Sequence, residues 1–347
     1  MNGKLTVKFK ESARSYEIFI GENNFKELTK QIEGFYIIDA DVYHLYIDLL
    51  PREHMCVFYA SEKNKSWESV LRIINFFINE NCNRNSKIFV IGGGITGDVA
   101  AFAASIFMRG LSLIQVPTTL LSMVDSSVGG KTGVNFNNVK NLIGTFYQPQ
   151  QVIIDINFLK TLNEVEFTNG LAEVIKIAFM FDKGLIEKLM LNNNYILARN
   201  NNCLFDIIKS SIEQKIHVVE IDEKEKYERK LLNFGHTIGH AIEIDTDFTI
   251  KHGFAIAMGM FYECLYGVRH GLVSQSVLDC LVNILKLYKL FNNYKIRNVE
   301  NFLFALKKDK KIENGGIVLS LPVGSGESKI FNNVKVDELV GLFNDNR

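Results

Sequence analysis

The segment KIFVIGGGITGD, residues 87–98, decides the fold of this chain because an apolar run leads directly into a glycine loop. Residues 88–91 favour a strand, and Gly92, Gly94 and Gly97 follow with the spacing G-x-G-x-x-G. Glycines let the backbone approach a pyrophosphate closely, and the next helix N-terminus offers N–H groups to it. The segment therefore predicts a nucleotide-binding strand, loop and helix. A tight glycine turn without a ligand is the alternative.

One feature of the usual dinucleotide-binding unit is missing after this loop. No carboxylate lies between Asp98 and Asp125, whereas an acidic residue that binds the adenosine ribose normally follows about 20 residues later. Asp39 and Asp41 instead follow an earlier predicted strand at residues 35–38. They would supply the ribose contact if the strand order differs from that of ordinary dehydrogenases.

The pattern of predicted secondary structure changes near residue 156. Up to that point short β-branched runs alternate with amphipathic segments, beginning with a predicted hairpin at residues 5–9 and 16–20. Such alternation favours a doubly wound, mostly parallel sheet. Beyond it, long stretches with apolar residues at helical spacing predict an all-α domain. We therefore predict an α/β nucleotide-binding domain at residues 1–156 and a helical domain at residues 157–347.

The composition argues against several classes of partner. Lys plus Arg equal Asp plus Glu at 39 each, so the chain has no overall positive charge to attract nucleic acid or an anionic membrane. No apolar run approaches the roughly 18 residues of a membrane helix, and residues 1–7 lack an apolar signal core. We expect a cytoplasmic protein with five reduced cysteines that acts on a small molecule.

A polar stripe in the second domain predicts a metal site. Arg229, Asn233, His236 and His240 fall at i, i+4, i+7 and i+11, which places them on one face if the segment is a single helix. Two histidines one turn apart can share a divalent metal, and His252 is a plausible further ligand. Histidines in purely structural roles are the alternative, which four complementary groups on one face disfavour.

Other charged residues lie in segments that suit anion binding. Glu173 and Lys176 are at i and i+3 on an apolar helix, where a surface ion pair is about as favoured as a ligand role. Residues 125–135 and 140–144 are punctuated by glycine and lack amphipathic patterning, as in loops that capture anions. The basic candidates for binding an anionic ligand are Arg109, Lys131, Lys140, Lys215, Arg229 and Lys310.

The order of motifs resembles that of the 3-dehydroquinate synthases, in the sugar phosphate cyclase superfamily. Each motif alone is short, whereas their joint order over nearly the whole chain is highly specific. The resemblance implies a nucleotide-binding α/β domain followed by a helical domain that binds metal and substrate. The motifs are GGGITGD at residues 92–98, MRG at 108–110, PTT at 117–119, DSSVGGKT at 125–132, KNLIG at 140–144, AEVIK at 172–176 and LNFGHTIGH at 232–240.

The resemblance implies a role for each candidate residue. The metal, normally zinc and with cobalt as a second possibility, would be bound by Glu173, His236 and His252, so that His240 faces the substrate. Arg109 and Lys310, or Lys311 in its place, would hold the phosphate. The substrate pocket would contain Lys131, Asn141, Lys176, Lys215, Arg229, Asn233 and His240. The residues implied around NAD+ are Asp39, Glu62, Lys65, Gly93, Gly94, Asp98, Thr118, Thr119, Asp125, Lys131, Lys140 and Thr161. The strand that ends before Asp39 adds Asp41 to this set.

The implied reaction converts 3-deoxy-D-arabino-heptulosonate 7-phosphate into 3-dehydroquinate and phosphate, on the shikimate pathway to aromatic amino acids. Transient oxidation by NAD+, β-elimination of phosphate, reduction, ring opening and intramolecular aldol closure follow one another. The resemblance also implies a homodimer. Phe254 departs from the family pattern, since glutamate usually follows the His252-Gly253 pair, and this puts the surroundings of His252 in question.

The sequence leaves three alternatives open. A sister cyclase that uses sedoheptulose 7-phosphate or glucose 6-phosphate would differ at Lys215, Arg229, Asn233 and His240, a set that resembles the pocket for a carboxylate-bearing substrate. A metal-dependent alcohol or glycerol dehydrogenase would not need an anion-binding cluster that includes Arg109. A noncatalytic NAD-binding protein would have no use for a metal triad.

Overall fold

The computed structural model describes residues 1–9, 14–29, 33–137, 139–308, 312–313 and 316–343, which form two compact units. Unit 1 consists of Met1–Phe167 and Leu204–Lys224, and unit 2 of Thr168–Cys203 and Glu225–Arg347. The sequence predicts a single boundary between residues 156 and 157. In the structure the chain leaves unit 1 after Phe167 and returns to it for one further segment.

Strands of unit 1 form a seven-stranded sheet in the order β1-β2-β9-β6-β5-β3-β4, and β7 and β8 form a separate hairpin. The predicted opening hairpin is present, because β1 pairs antiparallel with β2. The other neighbours in the large sheet pair in parallel. The strands are β1 (Asn2–Lys8), β2 (Ser15–Gly21), β3 (Phe35–Asp39), β4 (Met55–Phe58), β5 (Lys87–Gly92), β6 (Ser112–Pro117), β7 (Lys131–Phe136), β8 (Val139–Phe146) and β9 (Gln151–Asp155).

Helices are present in both units and dominate unit 2. They are α1 (Asn24–Thr29), α2 (Ala40–Tyr46), α3 (Trp67–Asn79), α4 (Gly94–Ile106), α5 (Glu164–Phe181), α6 (Lys183–Leu191), α7 (Asn193–Leu197), α8 (Asn201–Ile221), α9 (His236–Asp245), α10 (His252–Arg269), α11 (Gln275–Leu287), α12 (Val299–Lys308) and α13 (Val336–Gly341). Short helical turns occupy Ile47–Leu49, Glu62–Asn64, Phe107–Arg109, Ser122–Ser126, Ile156–Lys160 and Glu228–Asn233. Among the described helices, none has both the length and the apolar character needed to cross a bilayer.

The predicted fold class is confirmed, with a mostly parallel α/β sheet in the N-terminal part and a helical C-terminal part. Unit 2 also contains a small antiparallel sheet, which the expectation of an all-α domain did not include. Its strands are β10 (Ile312–Glu313), β11 (Gly316–Gly324) and β12 (Glu327–Val334).

The core of unit 1 explains why the deciding segment forms a central strand. Ile88 and Val90 of β5 belong to one buried cluster with residues of α3 and α4. Phe89 points to the opposite face and stacks on Tyr36 of β3, with 4.9 Å between the ring centroids. This alternation buries both faces of β5, which is typical of a parallel sheet covered on both sides. This buried central strand therefore holds the glycine loop at the carboxyl end of the sheet.

Two local predictions about the candidate site are wrong. Residues 131–136 and 139–146 form the β7–β8 hairpin rather than open loops, and Gly133 pairs opposite Gly144. A β-carbon on Gly133 would lie only 2.6 Å from the carbonyl oxygen of Ile143, so glycine permits close strand pairing here. Gly133 and Gly144 are thus explained by a hairpin, whereas Gly129 and Gly130 lie in the turn before it.

The predicted single helix that carries Arg229 through His240 is also interrupted. Glu228–Asn233 form a separate short turn, and α9 begins at His236. Gly235 lies between them with φ +77°, a left-handed conformation that ends one helical path and starts another. Its backbone also lies against α10, where an added β-carbon would be 2.7 Å from the carbonyl oxygen of Ile256. The polar stripe is therefore divided into two segments.

Candidate active site

The glycine loop forms the N-terminus of α4 at the carboxyl end of β5. Gly93 is the N-cap residue and has no side chain to bond the first N–H groups of the helix, which leaves them available to an anion. The loop is closely packed, because a β-carbon on Gly93 would lie 3.1 Å from Thr119 and one on Gly94 would lie 3.2 Å from the Ser126 hydroxyl. This backbone cradle fits a pyrophosphate.

Asp39 lies beside this loop because β3 is the parallel neighbour of β5. The Thr96 hydroxyl donates to Asp39 Oδ2 at 2.9 Å, and the backbone N–H of Asp41 donates to Asp39 Oδ1 at 3.0 Å. Burial raises the pKa of Asp39, and these two hydrogen bonds lower it in part. The strand order therefore places an acidic residue beside the glycine loop, although this residue precedes the loop in sequence. Asp41 itself is exposed.

Several predicted cofactor residues form one network beside α4. Lys65 Nζ lies 2.5 Å from Asp98 Oδ2. Burial raises the pKa of Asp98, and the adjacent Lys65 ammonium lowers it in part. Lys140 Nζ lies 3.7 Å from Glu62 Oε1, which also accepts a hydrogen bond of 2.8 Å from the Asn135 side chain. The network joins the Glu62–Asn64 turn to the β7–β8 hairpin.

Asn135 is a member of this network that the sequence did not single out. Its backbone N–H donates to the Lys65 carbonyl at 2.9 Å, and its side-chain oxygen accepts from the Asn141 N–H at 3.0 Å. Asn141 has φ +50°, so a predicted substrate residue is held in an unusual backbone conformation by this contact. Helical or strand periodicity gives no signal for such a residue.

The remaining cofactor candidates lie in the segments after β6 and β9. The Thr118 N–H donates to the Gly92 carbonyl at 3.0 Å, which ties the end of β6 to the glycine loop. The Thr119 and Ser122 hydroxyls lie 2.9 Å apart, and Thr119 also accepts from the Ser122 N–H at the start of the turn that contains Asp125. Thr161 is instead hydrogen-bonded to the Tyr46 hydroxyl at 2.6 Å.

Lys215 of α8 is a buried cation that contacts Asp125. Its ammonium lies 2.5 Å from Asp125 Oδ1 and also contacts the Asp125 backbone carbonyl oxygen. Lys215 is only 4% exposed, and lysines are rarely buried so deeply unless they are paired with an opposite charge. The structure therefore brings together a predicted substrate residue and a predicted cofactor residue that are distant in sequence.

Arg109 and Lys131 are exposed basic residues on two tight turns of unit 1. Met108, Arg109 and Gly110 all have positive φ, at +49°, +67° and +118°. Lys131 begins β7 directly after Gly129 and Gly130, which have φ +100° and +69°. Arg109 itself adopts a positive φ, which is uncommon outside glycine, whereas the turn before Lys131 uses glycines that adopt such angles readily. Lys310 and Lys311 lie outside the described residues.

In unit 2, three predicted metal ligands meet around one buried carboxylate. Glu173 Oε1 lies 3.6 Å from His236 Nε2 and 3.4 Å from His252 Nε2. One ligand atom from each residue lies within 4.8 Å of the others. His236 Nδ1 lies 3.1 Å from the Phe234 carbonyl oxygen, which leaves Nε2 as the ligand atom. A carboxylate with two imidazoles is a donor set that suits zinc.

Glu243, which the sequence interpretation missed, contacts the other nitrogen of His252. Its Oε1 lies 3.4 Å from His252 Nδ1. Metal-bound histidines commonly donate their second N–H to a carboxylate, which fixes the tautomer. Burial lowers the pKa of His252, but Glu243 and Glu173 outweigh it and raise the pKa to about 9. The pocket therefore favours positive charge, as a cation site should. Glu243 lies three residues after His240, but this spacing is too common to single it out and does not relate it to His252.

His240 belongs to a second group of potential ligands, with Glu243 and His252. Both groups include His252. A neutral imidazole offers one unprotonated nitrogen, so His252 cannot ligate through Nε2 and through Nδ1 at the same time. Both carboxylates are buried, and in the first group Glu173 Oε1 faces the Nε2 atoms of two histidines. We therefore take Glu173, His236 and His252 as the set that fits a metal.

The other candidates of unit 2 are buried beside polar groups. Lys176 contacts the carboxylate of Glu173, and both side chains are at most 2% exposed, so this is a buried pair and the surface-pair alternative is wrong. Arg229 is buried in the turn before α9. The Asn233 side chain donates to Glu225 at 2.9 Å.

Comparisons with known proteins agree over most of the chain. The family models described as 3-dehydroquinate synthase N-terminal and C-terminal match residues 55–169 and 170–312. A 3-dehydroquinate synthase of Dictyoglomus turgidum is 38% identical over 352 residues and covers 99% of this chain and 98% of its own length.

Solved structures of cyclases share the fold. A 2-epi-5-epi-valiolone synthase of Streptomyces hygroscopicus, determined with NAD+ and Zn2+ bound, has a TM-score of 0.89 at 25% identity and covers 95% of this chain and 96% of its own. A 2-deoxy-scyllo-inosose synthase complexed with carbaglucose-6-phosphate, NAD+ and Co2+ has a TM-score of 0.86 at 24% identity, with 99% and 100% covered. From the sequence models and the close full-length relative, the chain belongs to the 3-dehydroquinate synthase family.

Proposed function

We propose that this protein is a 3-dehydroquinate synthase that converts 3-deoxy-D-arabino-heptulosonate 7-phosphate into 3-dehydroquinate and phosphate. The observation that carries the proposal is the buried cluster in which Glu173, His236 and His252 offer metal ligands and Lys176 contacts the same carboxylate. A cation at the alcohol promotes oxidation of a carbinol on an anionic sugar acid, and further cationic donors bind the charges of such a substrate. Family membership supports this choice of reaction.

The two bound groups would supply the redox chemistry. When bound, NAD+ supplies a reversible hydride acceptor, and the divalent metal, which we propose to be zinc, polarises the alcohol. Gly93 and Gly94 would hold the pyrophosphate by backbone N–H groups, and Asp39 would accept hydrogen bonds from the adenosine ribose. The residues proposed around the rest of the cofactor are Asp41, Glu62, Lys65, Asp98, Thr118, Thr119, Asp125, Lys131, Lys140 and Thr161.

Arg109 would hold the phosphate group through elimination. The ketone acidifies the neighbouring C–H bond, and a phosphate oxygen of the substrate can accept that proton as the C–O bond to phosphate breaks. A guanidinium stabilises the charge that develops on the departing phosphate. Lys310, outside the described residues, is proposed for the same task. The chain would then need no separate base for this step.

The other pocket residues would bind the carboxylate and hydroxyls and hold one conformer for ring closure. An aldol closure within one molecule depends mainly on such orientation. His240 would move a proton at a substrate hydroxyl, since an imidazole exchanges protons near neutral pH. The residues proposed for this pocket are Lys131, Asn141, Lys176, Lys215, Arg229, Asn233 and His240.

The resemblance also leads us to propose a cytoplasmic homodimer that acts without nucleic acid or membrane. The equal numbers of acidic and basic residues, 39 each, support the absence of such polyanionic partners. Sedimentation equilibrium of the purified protein would test the dimer, and a mass of one chain at all concentrations would contradict it.

Purified protein with the heptulosonate phosphate, catalytic NAD+ and zinc should release phosphate and form dehydroquinate in equal amounts. Equal amounts are expected because the elimination and the closure belong to one catalytic cycle, and NADH should not accumulate because the hydride returns. Phosphate and dehydroquinate are measured in the same time course. Stoichiometric NADH from a simple alcohol would instead identify a dehydrogenase.

The second candidate function is that of a sister sugar phosphate cyclase, because a valiolone synthase and an inosose synthase share the fold of this chain. Lys215, Arg229, Asn233 and His240 argue against it, since we propose them for a substrate carboxylate that sedoheptulose 7-phosphate lacks. The same assay with sedoheptulose 7-phosphate or glucose 6-phosphate separates the candidates. Phosphate release from one of these sugars alone would overturn the assignment.

Glu243→Gln should weaken metal binding by about 10- to 100-fold, because a neutral amide stabilises the metal-bound His252 less well than a carboxylate does. Competition with a chromogenic chelator measures the metal affinity. Thermal unfolding with and without metal provides the control. A loss of stability that is equal in the two forms, with unchanged metal affinity, would assign Glu243 a purely structural role.

A further inference from the structure

Tyr147 contacts both of the turns that present basic residues in unit 1. Its hydroxyl donates to the Leu111 carbonyl at 2.5 Å, directly after the Arg109 turn. Its backbone N–H donates to the Gly130 carbonyl at 2.7 Å, directly before Lys131. One residue therefore bonds to the backbone beside each of two candidate anion-binding side chains.

The tyrosine ring also explains the backbone at Gly110. A β-carbon on Gly110 would lie 2.8 Å from the Tyr147 hydroxyl oxygen and 3.1 Å from a ring carbon, so the ring lies directly on this glycine. Gly110 has φ +118°, and the two residues before it also have positive φ. Such a backbone costs free energy and persists where its surroundings hold it. Tyr147 provides a contact and a hydrogen bond at this position.

The hydrogen bond requires a protonated phenol. Burial raises the pKa of Tyr147, and the charge of Arg14 lowers it in part, so the hydroxyl is a donor at neutral pH. The acceptor is the Leu111 carbonyl at the entry to β6, which is part of the central sheet. Phe146, the neighbour of Tyr147, pairs with Lys131 in the β7–β8 register. The tyrosine thus joins the central sheet, the Arg109 turn and the start of the hairpin.

We propose that Tyr147 is a positioning residue that sets the Arg109 turn relative to the turn before Lys131, and so sets affinity for the phosphate of the substrate. This inference rests on the proposed function in assigning Arg109 to a phosphate. Tyr147 acts on the ligand only through the two turns. Its loss should therefore weaken phosphate binding more than it changes the rate of the bound complex.

Tyr147→Phe keeps the ring on Gly110 and removes only the hydroxyl. We expect KM for the heptulosonate phosphate and the competitive inhibition constant of inorganic phosphate to rise together by about five- to tenfold, the effect of one hydrogen bond. The value of kcat should change less than KM. Unchanged affinity for phosphate in this variant would overturn the proposal.

Tyr288→Phe is a matched control, because Tyr288 donates an equivalent hydrogen bond of 2.8 Å to the Leu189 carbonyl in unit 2. Both variants should lower Tm by a similar amount, whereas only Tyr147→Phe should weaken phosphate binding. Equal effects of the two variants on phosphate would mean that loss of stability alone is responsible.

A double-mutant cycle tests whether Tyr147 acts through Arg109. In an Arg109→Ala background, Tyr147→Phe should have little further effect on phosphate affinity, because the group that it positions is gone. Full additivity would contradict the proposal. Direct titration of phosphate by calorimetry does not depend on turnover. If the wild type binds phosphate and Tyr147→Phe weakens it while no dehydroquinate forms, the proposed function fails and this inference stands.

Discussion

His236→Ala is expected to abolish metal retention, whereas His240→Ala is expected to keep the metal and lose turnover. The two histidines are one helical turn apart on α9, with 5.3 Å between their ring centroids. Only His236 belongs to the ligand group that contains the buried Glu173. Removing one of three protein ligands should weaken metal affinity by about a hundredfold or more.

The expected loss in His240→Ala has a different cause. We propose that this imidazole moves a proton on the substrate, and such groups contribute about 10²- to 10⁴-fold to the rate. Metal content after dialysis and kcat are measured on both variants. Equal loss of metal in the two variants would show that the ion binds the second group, His240 with Glu243 and His252, and would overturn our ligand assignment.

The control for both substitutions is the thermal stability of the metal-free proteins. His236 is buried at the start of α9, so its truncation removes packing as well as a ligand. If the metal-free forms of His236→Ala and wild type unfold at similar temperatures, the missing metal reflects a missing ligand. A large loss of stability without metal would require the more conservative His236→Gln before any conclusion about the ligand.

The fold was predictable where one segment carries a complete local signal. Residues 87–98 contain strand, glycine loop and helix start in sequence, and the structure has β5, the loop and α4 there. Asp39 needed more than local information, because its place beside the loop depends on the order of β3 and β5 in the sheet. The sequence predicts Asp39 beside the loop only if the strand that precedes it neighbours the strand that leads into the loop. In the structure β3 and β5 are parallel neighbours.

Other features depend on contacts between distant segments. Gly235 interrupts the predicted polar helix because its backbone lies against α10, which no periodicity within residues 229–240 can reveal. The sequence predicts loops where the β7–β8 hairpin lies, because glycines punctuate these segments. The cross-strand pairing of Gly133 with Gly144 explains two of those glycines. The small sheet of β10 to β12 follows a series of long helices. The helical spacing of those earlier segments led to the prediction of an all-α domain and gave no information about these strands.

The candidate metal site was predictable in composition but not in its supporting contacts. The resemblance implied Glu173, His236 and His252 as ligands, and the structure brings their ligand atoms together. Phe254 raised the question of what surrounds His252, and Glu243 is the carboxylate beside its Nδ1. Such a partner is identified by distance in three dimensions, because many acidic residues lie within a helical turn of some histidine.

Gly259→Ala is expected to unfold or strongly destabilise unit 2 and to prevent metal binding. Helices α9 and α10 approach most closely through glycines, and a β-carbon on Gly259 would collide with the carbonyl oxygen of Gly235 and lie 2.7 Å from the Gly239 nitrogen. These are backbone atoms, so no side chain can rotate away. The helices would have to separate, and the residues that they supply to the metal, His236 and His252, would move apart with them.

The loss should be about 3 kcal/mol or more in the free energy of unfolding, the upper range for overpacking a close contact. Gly341→Ala is the matched control, because a β-carbon at this helical glycine meets nothing within 4 Å. Alanine there should leave stability unchanged or raise it by up to about 1 kcal/mol. Chemical denaturation and metal titration are measured on both. A Gly259→Ala protein with wild-type stability and metal affinity would mean that α9 and α10 have freedom to separate at this crossing, and that their close approach does not set the distance between the two histidines.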